Sequence, residues 1–141
     1  MDPADLERIF RAIPAQYAAY DLNWNIVAMT DAMAASLGRS HDEVVGRNQF
    51  EAFPDNPDDP DASGNATMLG AFERVLAEKT GHVLPVTRYD IAGEDGVFHE
   101  RYWKPLNEPV FDGDGNIEYI IHGVEDVTAS VLSSRSDQAS G

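Results

Sequence analysis

A histidine near the end of the sequence is the side chain best placed to do chemistry. His122 lies in an apolar run, residues 117–127, whose pattern is typical of a β-strand. Since successive strand residues point to opposite faces, His122 shares a face with Ile120 and Val124. An imidazole there can hydrogen-bond within the domain, contact a ligand or respond to pH. Acid–base catalysis would need a partner group, and no spacing in the sequence places one beside His122, so we do not expect an enzyme.

Other motifs that resemble reactive or metal-binding sites fail on residue type or spacing. The chain has no cysteine, which excludes thiolate zinc sites, disulfides, iron–sulfur clusters and cysteine nucleophiles. Residues 112–116 begin like a calcium-binding EF-hand loop. However, Ile117 stands where that loop needs glycine, and Gly123 stands where it needs a glutamate. The acidic residues 55–61 include two prolines and are interpreted as a solvated surface loop. We therefore expect no metal site.

Length and charge restrict the function further. The 141 residues, 43% of them hydrophobic, are enough for one core and too few for two. A net charge of −15 argues against binding to nucleic acid or to an anionic membrane, since both rely on lysine and arginine. No apolar run approaches the roughly 20 residues that span a bilayer, and the N-terminus lacks the features of a signal peptide. We expect a cytoplasmic protein.

Turn residues and apolar spacing define the elements that must position these side chains. The first part of the chain predicts an amphipathic helix at 4–12, strands at 17–21 and 25–29, short helices at 31–37 and 40–45, an irregular loop at 48–64, and a helix at 65–79. From residue 82 the pattern changes to strands at 83–91, 98–110 and 117–127. Strands joined by tight turns are antiparallel, and the helices between the second and third strands must cross one face of the sheet. The chain is therefore predicted to be an α+β protein.

Three local motifs, in this order of elements, resemble the PAS family of sensory domains over roughly residues 6–128. Residues 30–47 resemble the family's run after the second strand, where a helix leads to a small helix ending in Gly-Arg. Residues 96–103 resemble its fourth strand, and residues 125–128, Glu-Asp-Val-Thr, resemble its Asp-Ile/Val-Thr terminator. Thr30 departs from the pattern, because many relatives have asparagine there.

The resemblance implies the PAS fold: a five-stranded antiparallel sheet with helices on one face and an N-terminal flanking helix. It divides the chain into a flanking helix at 1–14, a sensory domain at 15–128 and a C-terminal linker or tail at 129–141. The polar composition of that tail predicts a frayed end.

The resemblance also implies a small-molecule pocket between the helices and the sheet. Aligning Asp126 with the terminator turns one face of the last two strands inward, and two aromatic residues would complete the wall. The predicted ligand-binding residues are Tyr20, Phe72, Arg101, Trp103, Asn107 and His122. Such a wall could hold a polar aromatic or carboxylate ligand. The same aromatic side chains could instead simply fill the core.

The sequence does not identify a cofactor. The blue-light flavin subfamily needs a cysteine where this chain has Gln49, so neither a flavin adduct nor a cysteine-linked chromophore can form. Heme sensors of the family usually ligate iron through a histidine on or near the long helix, and residues 65–79 contain none. We therefore favour neither heme nor a non-covalent flavin.

The outer face of the sheet is predicted to be unusually apolar for a solvated surface. The apolar edge of the N-terminal helix, from the same chain or from a second copy, is the natural cover. The predicted dimer and signal-relay residues are Leu6, Ile9, Phe10, Tyr119, Ile121 and Asp126.

Two functions follow from the sequence. The first is a non-enzymatic sensory module that binds a small ligand and relays the change through dimerisation and its flanking helices to an output domain such as a histidine kinase. The alternative is a ligand-free protein–protein interaction module whose core is filled.

Overall fold

An antiparallel sheet is the framework that positions the candidate site. The computed structural model describes residues 1–93 and 95–140, with side chains as far as Arg135. Its elements, in chain order, are α1 (Pro3–Arg11), β1 (Gln16–Tyr20), β2 (Ile26–Met29), α2 (Asp31–Leu37), α3 (His41–Val44), α4 (Gln49–Ala52), α5 (Gly64–Glu78), β3 (His82–Val83), β4 (Thr87–Arg88), β5 (Ile91–Ala92), β6 (Phe98–His99), β7 (Tyr102–Phe111), β8 (Ile117–Asp126) and α6 (Thr128–Ser140).

The long strands β7 and β8 form the centre of the sheet. The strand order is β2-β1-β8-β7-β3, and β4 also pairs with β7, so that β3 and β4 share one edge. Each pairing in this sheet is antiparallel. β5 and β6 form a separate two-stranded ribbon. The predicted antiparallel α+β fold is confirmed, with the fifth position of the sheet divided between two short strands.

Helices α2 and α5 pack on the sheet, α2 against β1 and α5 against β7 and β4. The main core lies between these helices and the sheet. Its largest fully buried side chains are Tyr20, Phe72, Ile26, Met29, Ile120, Val44 and Val75. Burial of this apolar surface is the main force holding the helices on the inner face.

Local capping explains where the short helices begin and end. The Ser40 hydroxyl and the Glu43 carboxylate form the predicted capping box of α3. Gly38 ends α2 with φ 67°, in the left-handed region that favours glycine. Thr30, which stands where many PAS relatives have asparagine, hydrogen-bonds the start of β1 to the start of α2. Its hydroxyl donates to the carbonyl of Ala15 at 2.7 Å and accepts from the amide of Tyr17 at 3.1 Å, while also capping α2.

Two predicted strands are shorter in the structure than in the sequence analysis. Residues 83–91 form parts of β3, β4 and β5 rather than one strand. Pro85 lies in the gap between β3 and β4, where its missing N–H cannot join a ladder. Residues 98–110 are likewise divided, because the chain leaves the β5–β6 ribbon at Glu100 and Arg101 before it enters β7.

Two predicted irregular segments contain helix. The loop at 48–64 includes α4, which Asn48 starts by accepting a hydrogen bond from the amide of Phe50 at 2.9 Å. The tail at 129–141 is helical as far as Ser140, and Gly141 lies outside the described residues; the fraying predicted for its last residues stays a prediction. The division of the chain at residues 14 and 128 stays a prediction.

Candidate functional site

A cavity of about 70 Å³ lies between the helices and the inner face of the sheet. Its apolar wall includes three methionines, Met29 from β2, Met33 from α2 and Met68 from α5. Unbranched thioether side chains adapt their shape easily, so this part of the wall can yield to a guest. Among the described residues that line the cavity, none carries a permanent charge.

Asn107 and His122 form the polar centre of the wall. They stand opposite each other on β7 and β8, and the Asn107 Oδ1 lies 2.7 Å from His122 Nδ1. Because Oδ1 can only accept, Nδ1 carries the proton and donates it. The Asn107 side chain is fully buried, and its Nδ2 has no hydrogen-bond partner among the described residues. Burial lowers the pKa of His122 from its ordinary 6.5 to about 4, so the ring is neutral at physiological pH.

An aromatic cluster supports the imidazole from the side of α5. Phe72 meets His122 edge-on, with the ring centroids 5.7 Å apart, and contacts Tyr20 at 5.3 Å. Trp24 stacks on the far side of Phe72 at 5.0 Å. The Tyr20 hydroxyl donates to Gln49 Oε1 at 3.1 Å, and burial raises the pKa of this tyrosine. The cluster fixes the ring of His122 against the cavity wall.

Trp103 closes the cavity at the other end of β7. Its indole Nε1 donates to the carbonyl of Tyr89 at 2.9 Å. The Tyr89 hydroxyl in turn contacts the carbonyl of Phe53 and the side-chain oxygen of Asn65, and burial raises its pKa. Trp103 therefore joins the wall strand to the segment before the β5–β6 ribbon.

The structure brings four of the six predicted ligand-binding residues to the cavity: Tyr20, Trp103, Asn107 and His122. Phe72 lies behind them as a fully buried core residue that contacts Tyr20 and His122. Arg101 does not line the cavity, and its inward placement is corrected here. It precedes β7, so strand alternation does not govern it, and its Nε lies 3.9 Å from the Asp126 carboxylate.

Two amide side chains in the wall were not predicted as site residues. Gln49 was considered only as the position that lacks a flavin-binding cysteine, yet its side chain is buried and bonded to Tyr20. Gln16 lines the cavity at the start of β1, and its Oε1 is buried without a partner among the described residues. Gln16 lies one residue before the predicted strand at 17–21, where a polar residue looks like surface, so only the structure reveals it.

The outer face of the sheet is less covered than the sequence analysis expected. The helix α1 packs beside β2. Leu6 and Ile9 remain 56% and 55% exposed, and Phe10 is half-buried. Tyr119 and Ile121 on β8 are also half-buried. A groove of about 710 Å³ follows this face, and no element of the described chain fills it.

The terminator residues connect the sheet to α6. The Asp126 carboxylate accepts from the amide of Thr128 at 2.9 Å, and the Thr128 hydroxyl accepts from the amide of Tyr102 at 2.9 Å. Further along α6, Arg135 lies over the Tyr102 ring at 5.0 Å and pairs with Glu100 at 2.8 Å. Tyr102 thus adjoins α6, while its neighbour Trp103 lines the cavity.

The described residues contain neither a membrane-spanning helix nor a metal-binding cluster. No described helix is both long and apolar enough to cross a bilayer. No cluster of three or more histidine, aspartate or glutamate side chains in the described chain is arranged to hold a metal ion.

Comparisons with known proteins give structural relatives only. No family model and no curated protein matches the sequence. The PAS domain of BvgS from Bordetella pertussis is 22% identical, with a TM-score of 0.64, and the match covers 97% of this chain and 96% of that one. A sensory box sensor histidine kinase from Vibrio cholerae is 16% identical over 89% of this chain and 90% of that one, with a TM-score of 0.59.

A longer structure matches as well. The Vibrio cholerae VqmA–ligand–DNA complex is 21% identical over all of this chain, with a TM-score of 0.62, but the match spans only 59% of VqmA. At these identities the likeness concerns the fold. The element order, the helices on one sheet face and the terminator contacts of Asp126 and Thr128 agree with it. This chain has the PAS fold.

Proposed function

We propose that this chain is a sensory module that binds a compact small molecule in the inner cavity. One observation carries the proposal: a cavity between the helices and the sheet, two of whose lining residues hold buried polar atoms without partners among the described residues, Asn107 Nδ2 and Gln16 Oε1. A buried polar group without a hydrogen bond costs roughly 1–3 kcal/mol. Native proteins keep few such groups, and those they keep often serve a guest molecule or water.

The relay that we propose runs along β7 to α6. A guest that displaces Trp103 also moves Tyr102, the next residue, which contacts Thr128 and Arg135 of α6. The exposed Leu6 and Ile9 edge of α1 and the outer groove are the surfaces that we propose for a homodimer. The output partner would be a histidine kinase or another effector domain. The matched histidine kinase structure supports this choice, and the DNA complex of VqmA makes DNA binding by an attached domain an outcome to test.

The small size of the cavity is the one observation that supports the second candidate function, a protein–protein interaction module. Drug-sized ligands occupy about 300–1,000 Å³, whereas this cavity measures about 70 Å³. If the methionine side chains do not change conformation to admit a guest, the chain is the interaction module with a filled core. We propose no enzymatic activity, because the described contacts pair His122 with an amide and not with a carboxylate.

Methionine methyl groups provide a direct test. Met29, Met33 and Met68 line the cavity, whereas Met1 is 85% exposed and serves as an internal control. We expect xenon pressure to shift the three cavity methyl signals in a ¹³C-methyl spectrum, since apolar cavities take up xenon. Mass spectrometry of the freshly purified protein would identify any molecule it retains. Methyl signals that move no more than that of Met1 would reject the sensor in favour of the interaction module.

A further inference from the structure

Polar groups in the cavity wall define what kind of guest it can hold. Asn107 and His122 use one atom each to bond one another: Asn107 Nδ2 then has no partner among the described residues, and the described hydrogen bond of His122 uses Nδ1 and not Nε2. In the arrangement described, Nδ2 is a donor and the neutral ring's Nε2 is an acceptor. The pair therefore offers one donor and one acceptor from the same wall.

This pairing does not depend on which way the amide is turned. If the Asn107 side chain rotates by 180°, Nδ2 donates to His122 Nδ1, the ring proton moves to Nε2, and Oδ1 becomes the free acceptor. The wall then offers an acceptor from Asn107 and a donor from His122. In both arrangements the complementary guest carries one donor and one acceptor.

The charges around the cavity exclude ionic guests. No described residue of the wall is charged, Arg101 is engaged near Asp126 outside it, and burial keeps His122 neutral. A carboxylate or ammonium group placed here would lose its hydration without gaining an opposite charge, which is strongly unfavourable. The carboxylate ligand considered in the sequence analysis is therefore not favoured.

We infer that the cavity binds a neutral guest with a carboxamide-like edge, such as a primary or secondary amide, a lactam or a urea. The inference rests on the proposed sensory function and specifies its ligand class. Asn107 and His122 hydrogen-bond the edge, and the buried Gln16 Oε1 provides a further acceptor for a second N–H. The methionines and Trp103 surround the apolar remainder.

Acetamide, acetone and acetate form a matched set of four-heavy-atom probes. Acetamide has both the donor and the acceptor, acetone lacks the donor, and acetate carries a charge. We expect acetamide to shift the methyl signals of Met29, Met33 and Met68 with an affinity at least tenfold higher than that of acetone. We expect acetate to shift them no more than it shifts Met1.

A variant and a control assign the effect to the wall. In Asn107→Leu the preference for acetamide over acetone should fall below about twofold, while Asn23→Leu in the exposed hairpin turn should keep it. If Asn107→Leu does not fold, the three probes on the wild-type protein still decide. Equal binding of acetone and acetamide, or binding of acetate, would overturn the proposed ligand class. A xenon response in the same protein would still support the proposed binding cavity. An absent xenon response would overturn both proposals.

Discussion

Mild acid should destabilise this protein through His122. Burial lowers the pKa of this histidine from 6.5 in the unfolded chain to about 4 in the fold. The unfolded state therefore binds more protons than the folded state between these two values. Stability is highest above pH 6.5, falls as the pH drops toward 4, and levels off below.

The size of the loss follows from the two pKa values. With about 1.4 kcal/mol for each tenfold change in a protonation equilibrium, the free energy of unfolding should fall by about 1.4 kcal/mol between pH 7.5 and 5.5. By pH 4.5 the loss should reach about 2.5 kcal/mol. The carboxyl groups of Asp21, Asp90 and Glu100 have lowered pKa values, so the stability that they contribute is lost as the pH falls below their ordinary values, 3.8 for aspartate and 4.5 for glutamate, and through their lowered values in the fold.

A difference measurement isolates the histidine from other titrating groups. His122→Gln removes the titration and keeps an N–H that can donate to Asn107. Urea unfolding followed by fluorescence of Trp24 and Trp103 gives the free energy of both proteins at pH 7.5, 5.5 and 4.5. We expect the advantage of the wild type over the variant to shrink by about 2.5 kcal/mol across this range. A difference that stays constant within about 0.5 kcal/mol would show that His122 is not held neutral by burial.

Three further substitutions test the packing around the site. Gly123→Ala places a Cβ 2.5 Å from the Tyr17 ring and should lower the free energy of unfolding in urea by about 1–3 kcal/mol. The control Gly113→Ala, whose Cβ meets nothing within 4 Å, should leave the free energy of unfolding unchanged. Equal effects would contradict that contact. Lys79 ends α5 with φ 54°, in the left-handed region that favours glycine, so Lys79→Gly should stabilise the protein by about 0.5–1 kcal/mol. An unchanged melting temperature would argue against backbone strain at Lys79. Arg135→Ala should speed hydrogen exchange in α6 with little effect on overall stability, because its ion pair with Glu100 is solvent-exposed. Unchanged exchange would mean that this contact does not dock the helix.

The elements that the sequence predicted well are those whose signals are local. The capping box at Ser40 and Glu43 and the left-handed Gly38 depend on residues within four positions of each other. The helix α5 follows from apolar spacing alone. Its start lies one residue before the predicted one, at Gly64. Local physical rules are therefore sufficient for these boundaries.

The missed features depend on contacts between distant segments. Pro85 is a local signal for the break between β3 and β4, but nothing local shows that these two strands pair separately with β7, since that depends on where β7 lies. The serine-rich α6 has weak helix propensity, and its first turn is anchored by the Thr128 contact with Tyr102, 26 residues away. Tertiary contacts override propensity in both cases.

The sequence predicts which face of the sheet carries the candidate site, but it does not predict the hydrogen bonds within the site. Strand alternation puts Asn107 and His122 on the same side, yet their direct pairing depends on the register of β7 with β8. That register shifts between Val110 and Phe111, where the strands approach the Asp112 turn. The sequence of the turn does not show this irregularity, and a slip of one residue would have turned every side chain of one strand to the other face.

The position of the terminator at the junction of sheet and helix is the structural basis of the relay that we propose between the cavity and α6. Trp103 pairs in register with Asp126. Beside this pair, the Tyr102 amide donates to the Thr128 hydroxyl, and the Val127 amide donates to the Tyr102 carbonyl. The same short stretch of β7 therefore holds the cavity wall on one face and the start of α6 at its end. A guest that repositions the Trp103 indole must either break its bond to the Tyr89 carbonyl or move the strand, and moving the strand shifts the first turn of α6.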